Sequence, residues 1–202
     1  AYYFDYSYNV QTAMLGFKKP LNSYLDPDYS GGSKFNIFVL ELGDNILGYC
    51  TVDWEKTYRA EALGPYMGTS PAYIAMHSNM AKFGTNVEES IKSTASHEFF
   101  HAIQFAYNLF SESWWMETTA MWMEDIVFDK MGQSTYPGYI RSWVNRIGTS
   151  LDLDEADPSG NIHKYGNVIW ALFLTEMYDE EPDTYEAFIL GKHEQSNIIP
   201  QP

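Results

Sequence analysis

The run His97-Glu98-Phe99-Phe100-His101 sets two imidazoles four residues apart, with a carboxylate directly after the first. On an α-helix, residues i and i+4 lie on one face a single turn apart, so His97 and His101 can each turn a ring nitrogen toward the same metal ion. Glu98 falls about 100° round the helix from His97, within reach of a water on that ion rather than of the ion itself. This spacing predicts metal-assisted hydrolysis with Glu98 as general base. It requires a helix beneath the motif and a third ligand from elsewhere.

The flanks predict that helix. No Gly or Pro interrupts Val87 to Tyr107, and Ile91, Ala95, Phe99, Ala102, Ile103 and Ala106 recur at helical spacing as an apolar face. Asn86 suits an N-cap, Glu88 and Glu89 occupy the first turn where acids complement the helix dipole, and Asn108 can end the helix. His97, His101 and Gln104 share another stripe, so one helix can pack on a core and present ligands to a cleft. The third ligand is not that of a metzincin, whose motif continues H-E-x-x-H-x-x-G-x-x-H. Here Gln104 stands at the Gly and Tyr107 at the third His. A second helical run, Trp114 to Asp125, follows a turn through Asn108 to Ser113 that can bring Glu117 back toward the histidines. His163, ahead of a later helix, is the other candidate ligand or electrophile.

H-E-F-F-H-A-I-Q-F followed by W-W-M-E-T-T-A-M-W-M-E resembles the two motif helices of the gluzincin metallopeptidases, including the N-E-G-x-A-x-x-x-E helix of the aminopeptidase N superfamily. It is most similar to a group of secreted, largely uncharacterised bacterial and archaeal metalloproteases. Leu15-Gly16-Phe17 to Pro20, Gly31-Gly32, Lys34 to Leu42 and Tyr165-Gly166 fit that group's pattern. The likeness spans residues 12 to 178, strongly at the motif helices and loosely elsewhere. It implies that Glu117 is the third ligand beside His97 and His101, that the metal is Zn²⁺, and that the protein is a secreted or cell-surface endopeptidase acting on peptides or proteins. It also implies a role for Tyr165 as donor to the oxyanion, with Gly166 beside it letting substrate backbone approach, and His163 as the substitute donor. The thermolysin-type Asp four residues after the third ligand is replaced by Met121, so Glu124, two turns after Glu117, is expected to orient an imidazole. The competing readings are a secreted binding or adhesion module that keeps the metal and cleaves nothing, and an aminopeptidase. The latter lacks its Gly-x-Met-x-Asn signature, which Gly64 to Gly68 match only superficially.

With 202 residues, 45% of them hydrophobic, the chain is expected to form one domain, 1–202, in which 1–108 carries a sheet and the metal helix and 109–202 is helical and supplies the third ligand. A net charge of −15 argues against nucleic acid and anionic membrane surfaces as partners. No apolar run reaches the roughly 18 residues of a membrane span, and the start at Ala1 leaves room for an upstream signal or pro-segment. Cys50, alone of its kind, reads as a small buried thiol, with capping of the metal in a latent form as the alternative.

Helices are expected over 6–17, 139–146, 165–177 and 183–190 besides the motif pair, and strands over 34–42, 46–52 and 71–77. The segregation predicts an α+β, zincin-like fold with a small mixed sheet over the metal helix and a mostly helical second half. The acidic stretch Asp152, Asp154, Glu155, Asp157 reads as a solvated loop, with Ca²⁺ binding the minor alternative because the EF-hand glycine is missing. Aromatics at 17% read mainly as core, and His77 and His193 as structural or solvated.

Overall fold

The computed structural model describes residues 1–21, 35–52, 68–84, 86–128, 136–153 and 163–178. Helix α1 (Tyr2–Tyr8) runs into a π-helical turn over Asn9–Met14. Its start lies ahead of the predicted Tyr6, because Phe4 belongs to the core and the Tyr3 hydroxyl donates to Glu88 Oε1 at 2.8 Å. The wide turn carries Gln11, fully buried, whose Nε2–H donates to Ser96 O at 3.0 Å. Gly16, at φ 79°, takes the chain out of the helix where a side chain would be strained.

Strands β1 (Ile37–Leu40), β2 (Gly48–Val52) and β3 (Ala72–His77) form one sheet in the order β1-β3-β2. β1 runs parallel and β2 antiparallel to the central β3, which is buried at every position except Tyr73. Each strand is shorter than its sequence pattern, and Lys34 lies outside the described residues. The His77 N–H donates to Leu47 O at 2.8 Å, and Tyr49 pairs with Ala75 in the same register. Hydrogen-bonded and outward-facing residues alternate in an antiparallel pair, so Gly48, Cys50 and Val52 direct their N–H and C=O groups away from β3. Among the described residues no strand pairs with that edge.

A 3₁₀ turn (Met80–Phe83) leads to α2 (Val87–Tyr107), capped by Asn86 Oδ1, which accepts from Glu89 N–H at 3.3 Å. The predicted one-sided packing of α2 gives way to burial all round from Thr94 to Gln104, because the sheet and α1 press from one side and α3 (Ser113–Phe128) from another. α4 (Tyr136–Val144) starts ahead of the predicted Tyr139. The predicted helix 165–177 is divided into α5 (His163–Gly166) and α6 (Val168–Tyr178). At the break, the fully buried Asn167 side chain accepts from Trp143 Nε1–H at 2.7 Å and donates to Leu151 O at 2.8 Å. Both bonds tie it to neighbouring segments. The predicted helix 183–190, His193, and Asp154, Glu155 and Asp157 of the acidic stretch lie outside the described residues.

The architecture is α+β: a small three-stranded mixed sheet, then, among the described residues, helices alone after Tyr107. One hydrophobic cluster joins Phe4, Ile74 and Phe100 to Trp122, Val127 and Val168, so the first and second halves share a core. Among the described residues no helix is long and apolar enough to cross a membrane.

Candidate metal centre

His97 and His101 stand one turn apart on α2 with ring centroids 4.7 Å apart, and Glu117 comes to them from the second turn of α3. Glu117 Oε2 lies 3.0 Å from His97 Nε2 and 3.5 Å from His101 Nε2. One ligand atom from each of the three residues fits within a span of 4.8 Å. Four ligands held tetrahedrally at about 2.0–2.1 Å from an ion stand about 3.3–3.4 Å from one another, which the two contacts bracket. The donor set therefore fits a metal ion.

Both rings are oriented from behind. His97 Nδ1 lies 2.8 Å from Glu124 Oε1, and the other oxygen of Glu124 accepts from Ser93 Oγ. His101 Nδ1 lies 2.7 Å from Gln104 Oε1, while Gln104 Nε2 donates to Met116 O at 3.0 Å and Thr119 Oγ1 at 2.7 Å. With its amide donors so occupied, Gln104 has only its oxygen for His101. Both Nδ1 atoms thus carry a proton, and both Nε2 atoms face Glu117, where a metal ion would take their lone pairs. The expected partnership of Glu124 with an imidazole is present. Spacing sets Gln104 on the ligand stripe without assigning it a part in holding His101; its offset of three from that histidine is the signal for that part.

Without metal, the charges of the cluster hold one another. Burial opposes the His97 imidazolium, yet hydrogen bonds to Glu117 and Glu124 raise its pKa well above the ordinary histidine value. Burial likewise opposes ionised Glu117, yet hydrogen bonds from His101 and His97 hold its carboxyl far below the usual range. Glu98 stands apart from the three ligands. Burial pushes its carboxyl up, against the nearby histidines and a hydrogen bond from the Cys50 backbone N–H on the outward edge of β2. Gly48 makes that approach practicable, since a Cβ there would stand 2.7 Å from Thr94 Cγ2 and 3.0 Å from Ala75 O.

α5 closes the cluster on the α3 side. The Tyr165 ring lies 6.2 Å from that of His97, and burial together with the Glu117 charge pushes its phenol far above the usual tyrosine value, so it stays a donor. His163 does not join the ligands. Its ring stacks on Trp143 at 6.3 Å and 13°, and burial with the nearby Arg146 guanidinium lowers its pKa. One residue of α5 separates Tyr165 from it, which on a helix turns the two side chains to different sides. Gly166 is likewise turned from the expected task of admitting substrate: a Cβ there would meet Trp143 Cβ at 2.6 Å and Tyr139 O at 2.8 Å, so its smallness serves the packing of α5 on α4. The unforeseen neighbour is Lys164, whose Nζ lies 3.5 Å from Glu117 Oε1. No sequence spacing signals that contact.

The remaining polar candidates lie elsewhere. Cys50 is free and outside the ligand group, and burial, then the Glu98 charge, pushes its thiol up, which disfavours the thiolate a metal cap would need. Asp152 accepts from Ser150 Oγ and belongs to no ligand group among the described residues. His77 is buried, with Nδ1 accepting from Asn79 N–H at 2.8 Å, a structural role as expected. No family model matches this chain, nor does any curated protein or solved structure.

Proposed function

We propose that the chain is a zinc-dependent endopeptidase of the gluzincin kind, on a zincin-like core in which the small sheet covers the metal helix. The observation that carries this reading is a division of labour on one turn of α2. Ligand atoms of His97 and His101 converge with Glu117, while Glu98 takes no ligand position and meets the outward edge of β2 at Cys50 N–H. A metal site that only stabilises a fold gains nothing from an extra buried carboxylate beside its ligands.

Two imidazoles and one carboxylate suit zinc and leave a fourth position for water, whereas calcium takes six to eight oxygens. Held by His97, His101 and Glu117, zinc would supply a Lewis acid that acidifies water and polarises a carbonyl. The chain's own groups do the remainder. Gly48 and Val52, with the Cys50 carbonyl, offer an extended peptide outward backbone groups for strand addition, the Cys50 N–H being given to Glu98. Glu98, raised by burial, takes a proton from the attacking water and returns it to the leaving amine. Tyr165, kept protonated, donates to the oxygen on which negative charge develops. A secreted or cell-surface location and a peptide or protein substrate belong to the same proposal through the resemblance of the motif helices.

Metal analysis of the purified protein, combined with digestion of a diverse peptide library, tests it. Zinc with internal cuts, reduced about 10²- to 10⁴-fold in a folded, zinc-loaded Glu98→Gln variant, supports the endopeptidase. Zinc without cleavage of any peptide favours the binding module, and cuts confined to free amino termini favour an aminopeptidase.

A further inference from the structure

The two oxygens of Glu117 face different partners. Oε2 is the atom near both histidine Nε2 atoms, at 3.0 and 3.5 Å, whereas Oε1 lies 3.5 Å from Lys164 Nζ. Lys164 is held in that position from both ends. Its ammonium donates to Ser113 Oγ at 3.0 Å, at the start of α3, and its carbonyl accepts from Thr118 Oγ1, also at 3.0 Å. Thr118 follows Glu117 directly, so α3 fixes the lysine backbone next to the carboxylate that the lysine side chain meets. The Lys164 side chain is 16% exposed and that of Glu117 18%, so the pair is poorly screened by solvent. Glu98, Glu117 and Glu124 gather around the histidines, and a divalent ion held there would, with Lys164, offset their carboxylates.

We propose that Lys164 is a positioning residue that occupies Oε1 of Glu117 and thereby restricts this carboxylate to one-oxygen ligation through Oε2. The proposal rests on the metal-site reading above. A carboxylate free to swing can give both oxygens to an ion, which raises the coordination number, fills the position water needs and weakens the Lewis acid. An ammonium on the outer oxygen opposes that rearrangement. It also withdraws charge from the ligand, which leaves the ion a stronger acid toward its water.

The test replaces zinc by Co²⁺, whose visible absorption is intense in four-coordinate sites and weak as coordination rises. The measurements are Co²⁺ titrations of the wild-type chain, Glu117→Ala, Lys164→Met and Lys164→Arg, read by visible absorption and by affinity. The expected result is an intense spectrum for wild type and Lys164→Arg, and loss of most of that intensity in Lys164→Met with metal still bound as tightly as in wild type. A Lys164→Met spectrum equal to that of wild type, or a Lys164→Arg spectrum as weak as that of Lys164→Met, overturns the proposal. If Lys164→Met is not recovered folded, Lys164→Gln takes its place, and failure of both overturns the proposal in favour of a lysine needed only for packing. Failure of the underlying reading looks different: the wild-type chain would not bind Co²⁺, or Glu117→Ala would bind it unchanged.

Discussion

The two histidines of the motif are held by different chemistry. Behind His97 stands a buried carboxylate, Glu124, itself fixed by Ser93; behind His101 stands a neutral amide, Gln104, fixed by α3 through Met116 O and Thr119 Oγ1. A carboxylate makes an imidazole more basic as well as orienting it, whereas an amide orients without adding charge. The His97 side thus tunes charge and the His101 side secures geometry. A second charged support would have added another buried anion to a site that already gathers Glu98, Glu117 and Glu124, at a desolvation cost that a neutral amide avoids.

The largest effect should come from removing the ligand both sides share. Glu117→Ala should weaken zinc binding by more than about 100-fold, beyond the range for an orienting partner, with both supports intact. The exposed Glu112, which accepts from Trp114 Nε1 at 2.9 Å, is the control, and Glu112→Ala should bind zinc as wild type does. Zinc retained in Glu117→Ala and lost in His163→Ala would instead indicate a three-histidine site.

Tyr165 stands on the His97 side, and its loss tests whether that side also serves the reaction. Tyr165→Phe should lower kcat by roughly 10- to 1000-fold with zinc content and KM little changed, as for a contact made mainly in the transition state. An unaltered kcat removes Tyr165 from the oxyanion role, and His163→Ala then tests the substitute. Stacking of His163 on Trp143 predicts that His163→Ala acts on stability before kcat.

Two milder changes separate charge from orientation. Glu124→Gln and Gln104→Leu should each weaken zinc binding by about 10- to 100-fold, with Glu124→Gln the more severe if the charge behind His97, which the isosteric amide removes, counts for more than the hydrogen bond behind His101. Equal losses, read by competition with a chelating dye, would mean that orientation alone matters at both rings.

The smallest effect is the proton balance. His97, its pKa raised well above normal in the metal-free protein, should be protonated at neutral pH, so zinc uptake should release a proton. Calorimetry in buffers of different ionisation enthalpy measures that release, which should shrink in Glu124→Gln. The contribution of His97 to metal-free stability is complete below the ordinary histidine pKa and fades as pH rises through its raised value. That of Glu117 is present above the ordinary carboxylate pKa and fades as pH falls through its lowered value. Denaturation of the metal-free protein across pH should therefore show these contributions complete only between the carboxylate and histidine ranges.

What could be read from the chain alone was whatever depends on local geometry. The turn of α2 sets His97 and His101 on one face with Glu98 beside it, Asn86 caps the helix, and two turns separate Glu117 from Glu124 on α3, because helical periodicity is a property of the backbone. Contacts between elements distant in the chain had no such periodicity to betray them. Only the tertiary structure decided that β2 is, among the described residues, an edge strand with Cys50 N–H turned to Glu98, that Gln104 rather than a carboxylate secures His101, and that Lys164 faces Glu117. It also parted Tyr165 from His163, which the sequence places two residues apart, by setting one against His97 and the other on Trp143. Those outcomes depend on how α5 seats against α3 and α4, where the close packing around Gly166 and the bonds of Asn167 determine the rotation of a four-residue helix. A helix so short carries too little periodicity for its sequence to declare which side faces the histidines.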